Sequence, residues 1–407
     1  MKRVLFALLL IFLCTSGFAD GSDFYYSWAQ FFNPFLDENA GLTMFPSLFI
    51  PMGGKYEGMG TAYTAVSDDI SFIESNPAAS ASLKNTELGF LHHSWIMDSN
   101  IEGVVYATRF DDMGLAFSGK FLYVPFTGKD EWGRTDGTGY YTETIGTVNI
   151  SYNLFRNFYF HGLSVGSNIK LAYMGISDSI YPGQSVLTGL IDVGVLTRFN
   201  FLKFYTADDN NFSIGATFRN FSPIPTLDPV PTMFSAGIAY APIRPLTIAV
   251  DFNLPVSFDP AFPAENWYLA GGLSLAFTPN VMLLSGVKLK GANPIFALGT
   301  TIELDTMAFV VNYSLDLTNT IDPLDKFSIA AKFNLGDEGR SSLTGQTDEL
   351  YLHGIELYAA GDIEGAIALW EKVLEIDPEY TPAKDFMEIA REKLRLDKEI
   401  IDRQKFD

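Results

Sequence analysis

Residues 163–173 read LSVGSNIKLAY, a stretch in which apolar and polar side chains alternate. Successive residues of a β-strand point to opposite faces, so the alternation sorts these side chains into two sets. One face would carry Leu163, Val165, Ile169 and Leu171, and the other Ser164, Asn168 and Lys170. Residues 211–220, NFSIGATFRN, repeat the pattern. A strand of this kind suits a wall with lipid on one side and a wet lumen on the other.

The same theme runs through residues 86–335, where alternating segments are separated by turn residues. We predict strands near 86–96, 100–110, 113–123, 140–153, 160–174, 184–199, 211–221, 232–240, 245–253, 266–277, 281–290, 294–303, 306–316 and 325–335. An even strand number is typical of single-chain bacterial barrels. The sequence therefore predicts an all-β transmembrane barrel of about 14 antiparallel strands over residues 85–335.

Composition agrees with this fold class. Charged residues make up only 18% of the chain and aromatic residues reach 14%. After the N-terminus no apolar run is long enough to cross a membrane as a helix, which needs about 18 residues. The net charge of −21 argues against a nucleic-acid partner.

The first residues have the pattern of a secretory signal peptide. A basic start at residues 1–3 precedes an apolar run at 4–13, and small residues surround Ala19. We predict a signal peptide over 1–19, which implies export. Cys14 leaves lipidation open as an alternative, although the bulky Leu13 precedes it. After cleavage at Ala19 no cysteine remains, so disulfides would not contribute to stability.

The connections between the predicted strands are of two kinds. Long segments rich in Gly, Pro and Asp follow several odd-numbered strands, as at 125–139, 222–231 and 255–265. Tight turns follow several even-numbered ones, as at 241–245 and 278–280. Outer-membrane barrels have long outer loops and short periplasmic turns. We therefore expect a location in the cell outer membrane with both termini periplasmic, although 291–293 and 201–210 break the parity.

The character of the chain changes after residue 335. Residues 336–349 read as a polar linker, and 350–407 show helical spacing and an acidic balance. This tail resembles a tetratricopeptide repeat, in which small, small, large aromatic and helix-ending residues follow one another at fixed spacing; here they are Gly354, Ala366, Trp370 and Pro378. A generic helical hairpin is the alternative. One repeat cannot bury its own faces, so we expect it to dock on the barrel, self-associate or bind a periplasmic protein.

The segment before the strands carries a second resemblance. GMGTAYTAVSDDISFIESNPAASASL, residues 58–83, resembles the N-terminal segment of the FadL-type outer-membrane long-chain fatty-acid transporters, and in particular their treponemal FadL-like branch with a helical tail. The matching positions are Gly58, Gly60, Ala62, Ala65, Asp69, Asn76, Pro77, Ala78 and Leu83. The resemblance implies that residues 20–84 form a helical hatch inside the lumen; a purely structural N-terminal cap is the alternative.

The residues of this segment agree with that expectation. Small Ala and Ser side chains let short helices pack in a narrow lumen, and Asn76-Pro77 would end one element and begin the next. We assign hatch or gate roles to Asp69, Asn76, Pro77 and Gly119. Gly119 lies inside a predicted strand, where glycine often marks a kink, and the resemblance implies that a kink there opens the wall sideways.

Basic residues dominate the predicted inner face of the barrel. Because a basic side chain facing lipid at mid-membrane costs about 2–4 kcal/mol, the bases should turn inward. They are Arg109, Lys120, Lys170, Arg198, Arg219, Lys288 and Lys332, accompanied by Asp192 and Asp251. Such a lumen suits an amphiphile with an anionic head, and Lys120, Lys170 and Arg219 are the preferred ligands of its carboxylate. Alternatively, the bases pair with hatch acids such as Asp68, Asp69 and Glu74.

Other chemistry finds little support in the sequence. Gly58-Met59-Gly60 lacks the context of a nucleotide loop, and adjacent His92 and His93 should face opposite ways on a strand. We predict no enzymatic activity, metal or cofactor. The predicted function is outer-membrane uptake of hydrophobic or amphiphilic molecules, most plausibly long-chain fatty acids. A scaffold or adhesin, or a secretion-assembly barrel, is the alternative. We expect the barrel wall to contact outer-membrane lipid.

Overall fold

The computed structural model describes residues 37–39, 41–96, 98–129, 131–157, 160–176, 183–205, 210–224, 228–258, 261–290, 293–316 and 324–404. The predicted signal peptide, with Cys14, lies outside the described residues, and so does segment 20–36 of the predicted hatch. Among the described residues, no helix combines the length and apolar character needed to cross a membrane.

Fourteen antiparallel strands close into one barrel in which each strand pairs with its neighbours in sequence and β1 pairs with β14. They are β1 Glu87–Ser94, β2 Asn100–Phe110, β3 Met113–Lys129, β4 Thr135–Leu154, β5 Leu163–Ile176, β6 Val186–Phe199, β7 Phe212–Phe221, β8 Met233–Ile243, β9 Leu246–Pro255, β10 Tyr268–Thr278, β11 Val281–Lys290, β12 Asn293–Glu303, β13 Met307–Asp316 and β14 Leu324–Asn334. The predicted barrel and its strand number are confirmed.

The third and fourth strands depart from the prediction. Most of segment 125–139, expected to be a long loop, continues β3 and β4 as a hairpin. Pairing runs unbroken from Met113 opposite Tyr152 to Gly128 opposite Gly137. Within the segment itself Phe126, Thr127, Thr135 and Thr138 favour strand, and this local preference outweighed the Gly and Asp turn signals on which the prediction relied.

The two faces of the wall follow the predicted alternation. On β5, Ile169 and Leu171 are 64% and 59% exposed, whereas Asn168 and Lys170 on the other face are buried. A pleated strand forces this separation because its side-chain period is two residues. The apolar outer face and polar inner face are those that a membrane-spanning barrel requires.

Residues 44–83, which we call the hatch, lie against the inner face of the wall. Short helical pieces make up this segment: a 3-10 turn Pro46–Leu48, α1 Gly54–Gly58, α2 Phe72–Ser75 and a 3-10 helix Pro77–Ser82. Asn76 ends α2 in an extended conformation, and its side chain accepts a hydrogen bond from the Ala78 amide at the start of the next piece. The Ala- and Ser-rich hatch is almost completely buried, because small side chains let its helical pieces pack closely.

Three helices follow the barrel: α3 Arg340–Ala360, α4 Ile363–Ile376 and α5 Thr381–Gln404. The predicted linker 336–349 is therefore a linker only as far as Gly339. Asp337 accepts hydrogen bonds from the amides of Gly339 and Ser341, which satisfies donors at the helix start and lets the helix begin early.

The helical tail has its own core, centred on Trp370. Trp370 and Ala366 are fully buried, and a Cβ on Gly354 would lie 2.4 Å from the Trp370 ring nitrogen. Pro378 stands in the turn between α4 and α5. The four motif residues thus occupy the places that a helical hairpin requires, while the tetratricopeptide assignment stays a prediction.

Candidate functional site

Three of the predicted lumen bases converge on one cavity. Lys120 on β3, Lys170 on β5 and Arg219 on β7 line a space of about 30 Å³, together with Glu74 of the hatch. Strand alternation turns all three inward, and barrel closure brings these bases, which are far apart in sequence, around the same point. The space is sufficient for a water molecule or two.

Glu74 connects the hatch to this cluster. Its carboxylate lies 2.6 Å from the Lys120 ammonium and accepts a hydrogen bond from the Met52 amide at 2.9 Å. Arg219 donates to the main-chain oxygen of Glu74 and to Ser235 Oγ at 3.1 Å. One hatch residue therefore engages two wall bases, one through its side chain and one through its backbone.

Lys170 is held differently, by acceptors of the wall itself. Its ammonium lies 2.7 Å from Asp192 Oδ2 and donates to Asn220 Oδ1 at 2.8 Å. Asp192 is 1% exposed and also accepts from Asn168 Nδ2 at 2.8 Å. This pair satisfies a buried charge within the wall and does not depend on the hatch.

A second hatch acid pairs with a base on another wall strand, β14. Asp69 lies 3.4 Å from the Lys332 ammonium and accepts from Tyr63 and from the Ser71 amide, each at 2.9 Å. Burial raises the pKa of Asp69, but Lys332 and Lys55 oppose it more strongly and lower the pKa to about 2. Asp69 is therefore a carboxylate at neutral pH, held in place by surrounding charge.

Asn76 and Pro77 fix the middle of the hatch to the wall. Asn76 Nδ2 donates to the carbonyl of Thr64 at 2.8 Å and to that of Val195, on β6, at 3.0 Å. The Pro77 carbonyl accepts from Asn149 Nδ2 at 2.8 Å. The two residues thus act as an attachment point, and a moving gate would have to break these bonds.

Wall glycines that the sequence reasoning missed make this approach feasible. A Cβ atom added at Gly166, Gly194 or Gly215 would lie 2.2–2.3 Å from hatch atoms, which is closer than any side chain allows. They stand on the inner face of three consecutive strands, β5 to β7, where polar residues would be expected. That repeated placement was the sequence signal that could have located the contact.

Arg109 and Arg198 lie apart from the Glu74 cluster. Both line a cavity of about 830 Å³ at the end of the barrel that carries the short turns. Arg198 donates to the carbonyls of Val66 at 2.9 Å and Ser67 at 3.2 Å, and Arg109 donates to that of Leu83 at 3.2 Å. We call this space the vestibule; its arginines hold the underside of the hatch.

Lys288 has surroundings of another kind. Its ammonium lies 5.0 Å from the centre of the Tyr268 ring, and the side chain is 8% exposed. Within the described part of the chain, no carboxylate lies within ion-pair distance of it. A buried ammonium over an aromatic face retains capacity for an anionic partner.

Two predictions about the wall have clear outcomes. The kink expected at Gly119 is absent: pairing with β2 and with β4 passes through Gly119 without a register shift, and the residue faces outward. A glycine tolerated in a lipid-facing position needs no kink to explain it. The predicted opposite orientation of the two histidines is confirmed, since His92 contacts Glu102 on the outside and His93 contacts the Pro51 carbonyl inside.

The alternative prediction was that the lumen bases pair with acidic residues of the hatch. Asp69 and Glu74 pair with wall lysines, whereas Asp68 pairs with Lys55 inside the hatch at 3.2 Å. The bases therefore hold the hatch in this conformation, and their role as ligands stays a prediction. The described residues contain no group of three or more His, Cys, Asp or Glu side chains arranged for a metal ion.

Comparison with known proteins gives a family and a fold. The family model of UPF0164, an uncharacterised protein family, matches residues 33–338. A UPF0164 protein of Treponema pallidum (strain Nichols) is 27% identical over 379 residues, covering 88% of this chain and 85% of the relative. A second from the same organism is 24% identical over 389 residues, covering 88% and 77%.

Among solved structures, the CymD monoaromatic hydrocarbon channel aligns with a TM-score of 0.50 at 11% sequence identity. The alignment covers 70% of this chain and 97% of that one. At this identity the likeness concerns the barrel fold alone.

Proposed function

This chain belongs to the UPF0164 family, and we propose that it is an outer-membrane channel that takes up hydrophobic or amphiphilic molecules by facilitated diffusion through a hatch-gated barrel. Long-chain fatty acids are the preferred substrates. The observation that carries the proposal is the pairing of hatch Glu74 with wall Lys120 in the middle of a closed barrel.

The size of the central cavity supports a gate rather than an open pore. A space of about 30 Å³ beside Lys120 cannot hold a carboxylate with an acyl chain. Passage therefore requires the hatch to move. The cavity is also lined by the apolar side chains of Leu48, Met52 and Ile73, which would contact an acyl chain once room is made.

The chemistry of Glu74 provides a way to couple binding to opening. A substrate carboxylate carries the same charge and acceptor geometry as the Glu74 side chain, so it competes with that side chain for Lys120, and Arg219 is a second basic donor lining the same cavity. Leaving a buried base unpaired costs several kcal/mol, and exchange of one carboxylate for another avoids that cost. When the substrate displaces Glu74 from Lys120, the hatch loses one of its attachments to the wall, and the cavity can enlarge.

The substrate would leave the barrel through the vestibule. The wall at Gly119 is regularly paired, which removes the reason for a sideways opening there. The vestibule is already about 830 Å³ and lies directly below the hatch, with Arg109 and Arg198 on its walls. These arginines would guide an anionic head toward the side of the short turns.

A reversible cross-link tests the need for hatch movement. Ser80 of the hatch and Ser151 of β4 are hydrogen-bonded through their hydroxyls, so cysteines at both positions, in a chain with Cys14→Ser, should form a disulfide that ties hatch to wall. Ser67 and Ser75, whose hydroxyls are 2.9 Å apart, lie within the hatch and give a matched control disulfide.

We expect the oxidised S80C/S151C chain to lose uptake of labelled fatty acid into liposomes and to regain it on reduction, while the S67C/S75C chain transports in both states. Undiminished uptake by the oxidised S80C/S151C chain would remove the hatch gate. Absence of uptake by the unmodified chain would favour the scaffold or adhesin alternative.

A further inference from the structure

A groove of about 600 Å³ runs along the outer surface of the barrel where β1 to β4 meet β13 and β14. Its apolar lining is formed by Phe90, Val104, Gly119, Phe121, Phe309 and Ile329. Gly119 leaves a depression in the wall, because the outward-facing position opposite it on β4 is also a glycine, Gly146. We call this space the outer groove.

One end of the outer groove is polar and ionisable. His92 and Glu102 stand directly opposite each other on β1 and β2, with His92 Nδ1 2.8 Å from Glu102 Oε1. Ser94 Oγ lies 3.3 Å from His92 Nε2 and donates to Asn100 at 3.2 Å. Asn100 in turn donates to the Tyr123 hydroxyl at 2.8 Å. A connected polar row therefore borders the groove on the face that the wall turns outward.

This arrangement is unusual for the wall. Ionisable side chains such as Lys120, Lys170 and Arg219 turn inward, as expected when an outward charge is costly. A second outer groove of about 610 Å³, on β4 to β8, contains no acidic, basic or histidine side chain. It includes Val165, Ala216 and Phe234 and provides an internal comparison of equal size.

We propose that the outer groove binds one phospholipid with a primary-ammonium head, its acyl chain along the apolar floor and its ammonium at Glu102. Charge complementarity carries this choice of occupant. The Glu102 side chain is 50% exposed while bonded to His92, and a carboxylate has about four acceptor positions, so it can accept a further N–H donor.

The same carboxylate disfavours other heads. An anionic head would be repelled by Glu102, and a quaternary ammonium has no N–H to donate. The proposal requires that the barrel lies in a membrane but is independent of what the lumen transports. The site therefore separates lipid recognition on the outside from substrate recognition within.

The test is native mass spectrometry of the full chain with phosphatidylethanolamine, phosphatidylcholine or phosphatidylglycerol of identical acyl chains. We expect one retained phosphatidylethanolamine per chain. Glu102→Gln should reduce its retention about 2- to 5-fold, as for loss of one solvent-exposed ion pair, with little change for phosphatidylglycerol. Glu102 is half exposed, so this variant should fold.

Two filling variants locate the lipid. Gly119→Val places methyl groups in the outer groove, where a Cβ meets only Val104 at 3.5 Å, and should displace the lipid. Ala216→Val fills the comparison groove and should leave retention unchanged. Equal retention of the three lipids by the unmodified chain, an unaffected Glu102→Gln variant, or equal loss in Gly119→Val and Ala216→Val would each overturn the proposal. Selective lipid retention without liposome uptake would preserve it and remove the transport proposal.

Discussion

The Glu74 carboxylate lies 2.6 Å from the Lys120 ammonium, and this ion pair joins the hatch to the third strand of the barrel. Both side chains are largely buried, at 14% and 7% exposure. In such surroundings the pair is weakly screened, and removing either charge changes the balance between a seated and a displaced hatch.

Glu74→Gln should loosen the hatch. The amide keeps a hydrogen bond to Lys120 but loses the charge, so the displaced population should rise about fivefold, equivalent to about 1 kcal/mol. Basal ion conductance in planar bilayers measures that population. Glu102→Gln, the same change on the outer face, is the control. A conductance equal to that of the unmodified chain would mean that Glu74 does not hold the hatch closed.

Arg219→Ala should weaken binding of a long-chain carboxylate about tenfold, as expected for loss of a charge-assisted contact. Arg219 donates to the Glu74 carbonyl, Tyr56, Met233 and Ser235, none of which is a carboxylate, so among the described residues the variant leaves no buried acid without its hydrogen-bond donor. Equilibrium binding of a fluorescent fatty acid measures the effect, and its methyl ester should bind both chains equally. An equal loss for acid and ester would assign Arg219 a packing role.

Lys170→Ala should destabilise the barrel by about 3–5 kcal/mol because it leaves the buried Asp192 carboxylate without its base. The double variant Lys170→Met/Asp192→Asn removes both charges and should recover most of the loss. Urea unfolding monitored by electrophoretic migration of the folded barrel gives both values. If the double variant is as unstable as Lys170→Ala, the unpaired Asp192 charge is not the cause of the lost stability.

Acidification should weaken the attachment of the hatch at Asp69. Its pKa is lowered from 3.8 to about 2 in the folded chain, so its contribution is fully present above pH about 4 and is lost as the pH falls through about 2. That contribution is about 2 kcal/mol. The urea midpoint should therefore drop further between pH 6 and pH 2 for the unmodified chain than for Asp69→Asn. Parallel pH curves for the two chains would contradict the lowered pKa.

Gly354→Ala should destabilise the helical tail by about 1–3 kcal/mol, since the new Cβ would meet the Trp370 ring at 2.4 Å. Gly345→Ala is the matched control on the same helix: nothing lies within 4 Å of its Cβ, and alanine favours a helix. Thermal unfolding followed by circular dichroism at a helix wavelength separates them. If the two variants melt at similar temperatures, the contact between α3 and α4 accommodates the added methyl group without loss of stability.

Protease accessibility on intact cells tests the orientation. With fourteen strands both ends of the barrel wall lie on the side of the short turns, which we predict to be periplasmic. A tag at the hairpin tip near Trp132 should be cleaved by added protease, and a tag after residue 404 should be protected. Cleavage of the C-terminal tag would reverse the predicted orientation.

The sequence alone determined the barrel. An alternating pattern such as that of residues 163–173 predicts which side chains share a face, because the pleat of every strand has a period of two residues, whatever its neighbours. The count of alternating segments then fixed the strand number, and the same parity placed Lys120, Lys170 and Arg219 inside. Local pattern failed at 125–139, where turn residues stood within a continuing hairpin.

The tertiary structure alone decided which inward groups meet. Glu74 and Lys120 are 46 residues apart, and their contact depends on the fold of the hatch, the barrel register and the space left by Gly166, Gly194 and Gly215. None of these follows from a local period. The outer pairing of His92 with Glu102 likewise required the β1–β2 register, because a shift of one residue would turn one of the two side chains into the lumen.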